Sequence, residues 1–291
     1  MSFWHFVGTG LSHLVGASVG REGALVLISS GLVRLLRLSW MSWGPVAASI
    51  GFATVVGHFW VAPIFMIELF YTNFRQKIYA LLGAQAAAVV FDSFHMEHLI
   101  PDLSSRADFG FFQKFFFVFV LAFLAGSCMR LYKKIYFELS DYFAKHSIFI
   151  RLFVSLLLAV FLFQPELRRY QSLGLLEISY ISQNISHLPD VIIKLFVTLI
   201  SVSIGFFGGE FVPLVFSSLH LGNLVSQWMG FDVVMGTYLA AYLFFAGATR
   251  LKWTSYLLLL SLVGVSWWFW AYVLTSLTVS FSKEKSLYRV D

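Results

Sequence analysis

Long apolar runs separated by short polar stretches dominate the chain. The runs have helical length, and no two-residue alternation or series of short strands is visible, which predicts a bundle of α-helices. They lie at about 2–18, 23–38, 42–70, 76–91, 112–132, 148–163, 190–207, 211–229, 235–249 and 253–279. Because some of these runs fall short of the roughly 20 residues that span a bilayer and two exceed it, we expect an irregular bundle.

The interruptions between and within the runs predict how the chain is divided. Gly44, Pro45, Gly51 and Gly57 break the 42–70 run, which predicts two or more short tilted helices there. Three polar breaks lie at 92–111, 132–146 and 164–189. The first is expected to be an extramembrane connector, and the charges of the second follow helical spacing. None is long enough for a soluble domain, so we expect one membrane domain over 1–279 and a short tail over 280–291.

Composition supports an integral, multi-pass membrane protein. Of the 291 residues, 59% are hydrophobic and only 12% are charged, whereas soluble domains carry about 25% charged residues. The net charge of +5 does not indicate nucleic-acid binding, because the basic residues fall in short clusters between the apolar runs, as they do at the cytoplasmic ends of membrane helices. The single cysteine, Cys128, excludes an intramolecular disulfide, and its apolar surroundings predict a packed core thiol.

Ionisable residues inside apolar runs are rare here and are candidates for function, because charge in a membrane is costly. They are Arg21, Glu22, Glu68, Glu210, Arg250 and Lys252. The histidines are scattered, and the sequence contains neither a nucleophile elbow nor a phosphate-binding loop. We therefore expect no enzymatic activity and no cofactor.

Two glycine-rich turns open apolar runs in the two halves of the chain. They are Gly20-Arg21-Glu22-Gly23-Ala24 and Gly208-Gly209-Glu210-Phe211-Val212-Pro213. Glycine allows the backbone to approach an ion closely, and a helix that starts at such a turn directs unpaired N–H groups and its positive dipole end forward. Two such starts near the bilayer midplane form the anion site of many transporters. The glycines are alternatively close-packing positions between helices.

Glu22 and Tyr288 are the polar side chains that this hypothesis uses. Glu22 is either a titratable gate, which occupies an anion site as a carboxylate and leaves it when protonated, or one partner of a local ion pair with Arg21. Tyr288 is either a contributor to the site or an interfacial anchor.

The two turns resemble the signatures of the CLC family of chloride channels and anion/proton antiporters. Residues 20–23 are similar to its G-R/K-E-G-P signature, and residues 208–213 to its G-G-x-F-x-P signature. The resemblance covers nearly the whole chain and favours the fluoride/proton antiporter branch. The residues that carry it are Gly8-Thr9, His13-Leu14, Arg169-Tyr170, Leu173-Gly174-Leu175, 205–210, Leu221-Gly222-Asn223 and 245–249.

The resemblance implies roles for both turns and for Tyr288. It implies that Glu22 is the gating glutamate and that Tyr288 is the tyrosine of the central anion site. It also implies that anions bind at the two turns, with the backbone of Gly23 and Ala24 and of Phe211 and Val212 as ligands. The anion-binding set is then Gly20, Arg21, Gly23, Ala24, Gly208, Gly209, Glu210, Phe211, Val212, Pro213 and Tyr288.

The implied fold is an all-α CLC-type bundle of short, tilted and re-entrant helices with an inverted repeat. The resemblance further implies a homodimer with one pathway per subunit, in a bacterial inner (cell) membrane. In the family, further helices and a G-S-G-I-P-type loop precede the first turn. We therefore expect 1–91 to be the remnant of an incomplete first repeat and 112–279 to be the second repeat.

Two other departures leave the function open. Leu69 stands where many antiporters of the family place an inner proton-transfer glutamate, and Arg250-Leu251-Lys252-Trp253 stands where an Asn/Arg-x-Pro-Leu turn is expected. Two hypotheses follow. In the first, the protein moves chloride or fluoride as a channel or in exchange for protons, with Glu22 as its gate. In the second, it is a truncated, non-transporting relative that acts as a structural or regulatory membrane subunit.

Overall fold

The computed structural model describes residues 2–70, 72–93, 109–178, 180–283 and 285–288, and over these ranges the backbone is helical and contains no strand. The α-helices are α1 (Ser2–Leu14), α2 (Arg21–Leu35), α3 (Trp40–Val56), α4 (Val61–Leu69), α5 (Phe74–Ser93), α6 (Phe111–Lys145), α7 (Ile148–Leu162), α8 (Leu175–Ile178), α9 (Leu188–Ile204), α10 (Phe211–Met229), α11 (Val233–Ala240), α12 (Leu243–Thr249), α13 (Lys252–Val263) and α14 (Trp268–Ser282). Short 3-10 turns lie at Pro165–Tyr170, Ile181–Gln183 and Val265–Trp267. The prediction of an all-α fold is confirmed.

Helix α10 lies at the centre of the bundle. All residues over 211–226 are buried, and its neighbours include α6, α9, α11 and α12. Other helices therefore cover each of its faces, including the buried polar side chains Ser218, His220 and Asn223. Its bounds coincide with the predicted run 211–229.

Helices α1–α5 form a layer that packs on this centre. Helix α3 contacts α2, α4 and α5, while α2 touches α10 and α4 touches α13. The contact between α4 and α13 includes a carboxylate cap, because Glu68 accepts hydrogen bonds from the backbone nitrogens of Trp253 and Thr254, both at 2.7 Å. These N–H groups belong to the first turn of α13 and have no acceptor within their own helix.

The 42–70 run folds as two helices, as predicted. Helix α3 ends at Val56, directly before Gly57, and α4 begins at Val61 after a short turn. Pro45 lies in the second turn of α3. The break at 92–111 is predicted to be an extramembrane connector. Its residues 94–108 lie outside the described part of the chain, so this stays a prediction.

The polar stretch at 132–146 interrupts the apolar run but not the helix, because α6 continues through it to Lys145. Its charged residues follow helical spacing and most lie on solvent- or lipid-facing sides, whereas Tyr132 and Phe143 are buried against the bundle. At 1.5 Å per residue α6 is about 52 Å long. This exceeds the roughly 30 Å hydrocarbon core, so the helix is tilted or extends beyond the core.

Two predicted runs are divided by turns. The run 253–279 contains α13, which ends at Gly264, a 3-10 turn, and then α14. The run 235–249 falls within α11 and α12, which are separated at Ala241 and Tyr242. Apolar composition continues through these turns because side chains such as Ala241, Tyr242 and Trp267 remain buried in the bundle, so hydrophobicity alone does not reveal them.

Hydrogen bonds between polar groups hold the segment 164–189 in place. The Asp190 carboxylate accepts hydrogen bonds from the Tyr170 hydroxyl at 2.5 Å and from the Arg169 guanidinium. The Lys194 ammonium is fully buried and donates to the carbonyls of Tyr170 at 2.9 Å and Ser172 at 2.7 Å. These bonds attach the connector to α9 and satisfy charges that would otherwise be costly to bury.

Candidate functional site

The two glycine-rich turns meet although they lie far apart in the sequence. Gly20 and Gly209 pair as an antiparallel bridge in which each backbone N–H donates to the other's carbonyl, with 2.8 Å from Gly209 N to Gly20 O. Each turn leads directly into a helix, α2 after Gly20 and α10 after Glu210. The pairing therefore holds the starts of two helices side by side.

Glycine is required at this junction for two separate reasons. A Cβ atom on Gly23 would lie 2.7 Å from Gly209 Cα and 2.8 Å from Gly209 N, so any side chain there would force the turns apart. Gly208 has a φ of +153°, and a Cβ atom on it would lie 2.6 Å from Val19 Cβ. Only glycine combines this conformation with this close approach.

Both helix starts lack a side-chain cap. Gly20, which precedes α2, has no side chain that could cap the helix. Glu210, which precedes α10, makes no side-chain hydrogen bond to the first turn of its helix. The first N–H groups of each helix have no acceptor within the helix, and Pro213 supplies none because it has no N–H. The paired starts thus offer backbone donors and two positive dipole ends to a negatively charged ligand.

A cavity of about 260 Å³ lies against the paired turns. Glu210 and Tyr288 are the polar side chains among its described lining residues, and aliphatic and aromatic groups form the rest of the wall. The lining residues are Gly23, Val26, Leu27, Phe52, Phe65, Leu69, Gly208, Gly209, Glu210 and Tyr288. An apolar chamber with a few converging polar groups is the usual form of a small-ligand site.

Hydrogen bonds from the tail hold Tyr288 at this cavity. Leu287 N donates to Ala248 O at 3.0 Å, and the Ser286 hydroxyl donates to Thr249 O at 2.5 Å, so the tail is attached to the end of α12. The Tyr288 and Glu210 side chains line the same cavity. The predicted tail is therefore too short to fold alone but is ordered by α12.

Four aromatic rings pack behind the turns. Phe52 stacks on Phe65 with ring centroids 4.3 Å apart and meets Phe211 edge to face at 5.5 Å. Phe245 joins the cluster, 4.8 Å from Phe211 and 6.1 Å from Tyr288. Sequence reasoning missed Phe52 and Phe65 as part of the site, because two phenylalanines among the 33 in the chain carry no distinguishing signal.

Comparison with known proteins decides the family. The family model described as voltage gated chloride channel matches residues 1–282. The chain belongs to this family. No curated protein matches it by sequence.

Solved CLC structures share its fold. A CLC-type fluoride/proton antiporter superposes with a TM-score of 0.85 at 22% identity, over 98% of this chain and 75% of the antiporter. A slow cyanobacterial Cl⁻/H⁺ antiporter gives 0.78 at 15% identity, over 97% and 72% of the two chains. A eukaryotic CLC transporter gives 0.68 at 18% identity, over 94% and 52%. The chain is thus an integral membrane protein with the CLC fold.

The structure brings most of the predicted CLC site residues together. Gly23, Gly208, Gly209, Glu210 and Tyr288 line one cavity. Adjoining residues lie beside them in the first turns of α2 and α10, and those whose side chains are described are buried: Ala24, Phe211, Val212 and Pro213. The backbone of Arg21 and Glu22 begins α2, whereas their side chains lie outside the described part of the chain. The gating role of Glu22 and the alternative Arg21–Glu22 ion pair therefore remain predictions.

The other intramembrane charges lie away from the cavity wall. Glu68 caps α13, and Arg250 is exposed at the end of α12. The Lys252 ammonium lies over the rings of Trp253, at 4.6 Å, and Tyr272, at 5.0 Å, which is cation–π geometry. Leu69, by contrast, does line the cavity.

Proposed function

We propose that this protein moves a small halide, chloride or fluoride, across the membrane in exchange for protons. The proposal rests on the reciprocal pairing of Gly20 and Gly209 beside a cavity. This pairing supports the inference that the two helix starts form one anion site. The backbone N–H groups of Gly23 and Ala24 and of Phe211 and Val212 are the proposed ligands. Backbone donors in a low-dielectric setting favour an anion without placing a fixed cation in its path.

Glu22 is the proposed gate of this pathway. It precedes Gly23, which lines the cavity, in the first turn of α2. A carboxylate there competes with an anion for the same helix dipole and N–H donors. Protonation removes that competition, so proton binding and anion entry are coupled through one position.

Glu210 is the proposed second proton-handling group. Its side chain is 6% exposed, and it lines the cavity together with Tyr288. Leu69 on the same wall has no proton to exchange, so the proposed second carboxylate, in addition to Glu22, comes from the start of α10 and not from the end of α4. Buried carboxylates inside membranes often mark proton relays.

Flux measurements in liposomes test the proposal. Purified protein should carry chloride or fluoride down a gradient and move protons in the opposite direction. Glu22→Gln should abolish proton movement driven by the anion gradient, because the amide does not titrate. Glu210→Gln should reduce that proton movement while anion flux persists. Glu166→Gln, at an exposed position in the connector, is the matched control and should behave like the wild-type protein.

The experiment also decides the alternative. If folded wild-type protein passes neither halide above empty liposomes, the transport proposal is wrong and the role of a non-transporting structural or regulatory subunit is favoured. If halide flux occurs with no proton movement in either the wild-type protein or the glutamate variants, the protein is a channel and the proton roles of Glu22 and Glu210 are wrong.

A further inference from the structure

A second cavity, of about 390 Å³, lies away from the paired turns. It is bounded by α1, by the first half of α7 and by the segment 204–207 that leads into Gly208. Its wall is largely aliphatic and aromatic, with Leu11, Ile148 and Leu152 among its members. The transport mechanism proposed above does not use this chamber.

The charged group among the described residues of its wall is the guanidinium of Arg151. The Arg151 Nε donates to Phe143 O at 2.7 Å, in the last turn of α6, where backbone carbonyls have no donor within the helix. Among the described residues, no carboxylate forms an ion pair with Arg151, and its terminal nitrogens have no hydrogen-bond acceptor. The Ser155 hydroxyl on the same wall donates to the Arg151 carbonyl at 2.7 Å. A half-buried guanidinium in an apolar chamber favours an anionic partner.

The surroundings of Arg151 are those of a lipid-facing helix start. Helix α7 begins at Ile148, directly after the basic end of α6, and Phe149, Leu152 and Phe153 on α7 are exposed by 76%, 59% and 61%. Arg151 thus stands where a polar turn gives way to an apolar face. Cationic side chains at such borders contact lipid headgroups while the apolar face contacts acyl chains.

We propose that this cavity binds an anionic phospholipid from the bilayer. The headgroup phosphate accepts hydrogen bonds from the terminal nitrogens of Arg151, and an acyl chain lies along Leu11, Ile148 and Leu152. An amphiphile with one anionic end matches one cation on an apolar wall, whereas a free inorganic anion would leave that wall uncovered.

The cavity wall is connected to the second turn. The Ser12 hydroxyl on α1 accepts a hydrogen bond from Phe207 N at 3.1 Å, and Phe207 directly precedes Gly208. The Phe207 ring also lies against Gly8, where a Cβ atom would come within 2.4 Å of Phe207 Cδ2. A bound lipid therefore contacts the segment that positions the start of α10, and its occupancy should alter transport.

Native mass spectrometry of the purified full chain tests the binding directly. The protein is relipidated with phosphatidylglycerol or phosphatidylcholine, and the retained lipid is counted for the wild-type protein, Arg151→Gln and Arg168→Gln. We expect preferential retention of phosphatidylglycerol by the wild-type protein and at least about a tenfold loss in Arg151→Gln, the scale of a lost charged hydrogen bond. Arg168 is exposed and lies outside the cavity, so Arg168→Gln should match the wild-type protein.

Further variants keep the test decisive if Arg151→Gln does not fold. Arg151→Lys keeps the charge and should retain most of the phosphatidylglycerol. Leu152→Trp keeps Arg151 but fills the apolar part of the cavity, so it should lose the lipid. The proposal is overturned if Leu152→Trp or Arg151→Gln retains as much phosphatidylglycerol as the wild-type protein does. It is also overturned if the wild-type protein retains phosphatidylglycerol and phosphatidylcholine equally.

Two further measurements identify the ligand's chemistry and its effect on transport. Inorganic phosphate at millimolar concentration should not displace the lipid, and displacement would show a small-anion site instead. Halide flux in vesicles with and without phosphatidylglycerol should differ for the wild-type protein more than for Arg151→Gln. This last readout rests on the proposed transport function, whereas the mass spectrometry does not, so the two hypotheses fail separately.

Discussion

The two helices that begin at the paired turns differ in how they are packed. Helix α10 is buried without interruption over 211–226, with neighbours on every side. Helix α2 buries few of its described side chains, while Leu27, Leu32 and Leu35 on it are exposed by 46%, 45% and 74%. The same kind of glycine turn thus starts a central helix in one half of the chain and a peripheral helix in the other.

This difference assigns different physical tasks to the two turns. Close packing against the surrounding helices fixes the position of α10, so the N–H groups at its start are a fixed part of the site. Helix α2 has fewer packing constraints, and it carries Glu22, the residue whose protonation is proposed to open the site. Regions with fewer buried contacts open at lower free-energy cost, which suits a gate. Substitutions on and around the two helices can test this contrast, starting with the largest expected effect.

Truncating one large side chain on each helix should show the contrast in stability. Phe211→Ala removes a fully buried ring at the start of α10 and should lower the free energy of unfolding by about 3–5 kcal/mol. Leu27→Ala, at a half-exposed position on α2, should cost about 1 kcal/mol. Denaturation in mixed micelles measures both, and equal losses would contradict the contrast.

Adding a single methyl group at the junction should separate the two turns. Gly23→Ala brings a Cβ atom to 2.7 Å from the Gly209 backbone, an overpacking that costs about 1–3 kcal/mol and should lower halide flux about 10–100-fold. Gly10→Ala is the matched control, because a Cβ atom on Gly10 of α1 meets no atom within 4 Å. It should leave flux unchanged and stabilise α1 by up to about 1 kcal/mol. Identical flux from the two variants would show that the close approach is unimportant.

Removing one hydroxyl should test the α10 side alone. Tyr288→Phe keeps the ring beside Phe245 but removes the hydroxyl of a cavity-lining side chain. The hydroxyl is one hydrogen-bond donor for a bound halide, worth about 1 kcal/mol, so its removal should change halide flux or apparent halide affinity about fivefold. Tyr180→Phe, at a site exposed by 57%, serves as the control and should have no effect. A Tyr288→Phe protein with wild-type flux and affinity would remove Tyr288 from the site.

The smallest effect is expected outside both turns. Lys252→Met removes the cation–π contacts with Trp253 and Tyr272 and should cost about 0.5–1 kcal/mol of stability, with halide flux unchanged. Arg250→Gln, at an exposed position, should change neither quantity. If either variant alters halide flux more than about twofold, the cation acts on the pathway through its electric field, although it lies away from the cavity wall.

The positions of α6 and Tyr288 show where sequence reasoning reached its limit. The charged stretch at 132–146 ends the apolar run, but helical hydrogen bonding continues wherever one face can remain buried, so the end of the apolar run does not give the end of α6 at Lys145. Resemblance alone assigns Tyr288 to the site. Its position depends on hydrogen bonds from Ser286 and Leu287 to α12, which no local pattern in the tail encodes.

Local composition was sufficient to predict the membrane class, the all-α fold, the bounds of α10 and the two glycine turns that open helices. These properties can be read from short stretches, because apolar runs partition into lipid and glycines permit the turns. The packing of whole helices established that Gly20 pairs with Gly209, that Phe52, Phe65 and Leu69 complete the cavity, and that Glu68 caps α13 instead of lining it. Such contacts join residues distant in the chain, and they exist only once the helices have assembled around α10.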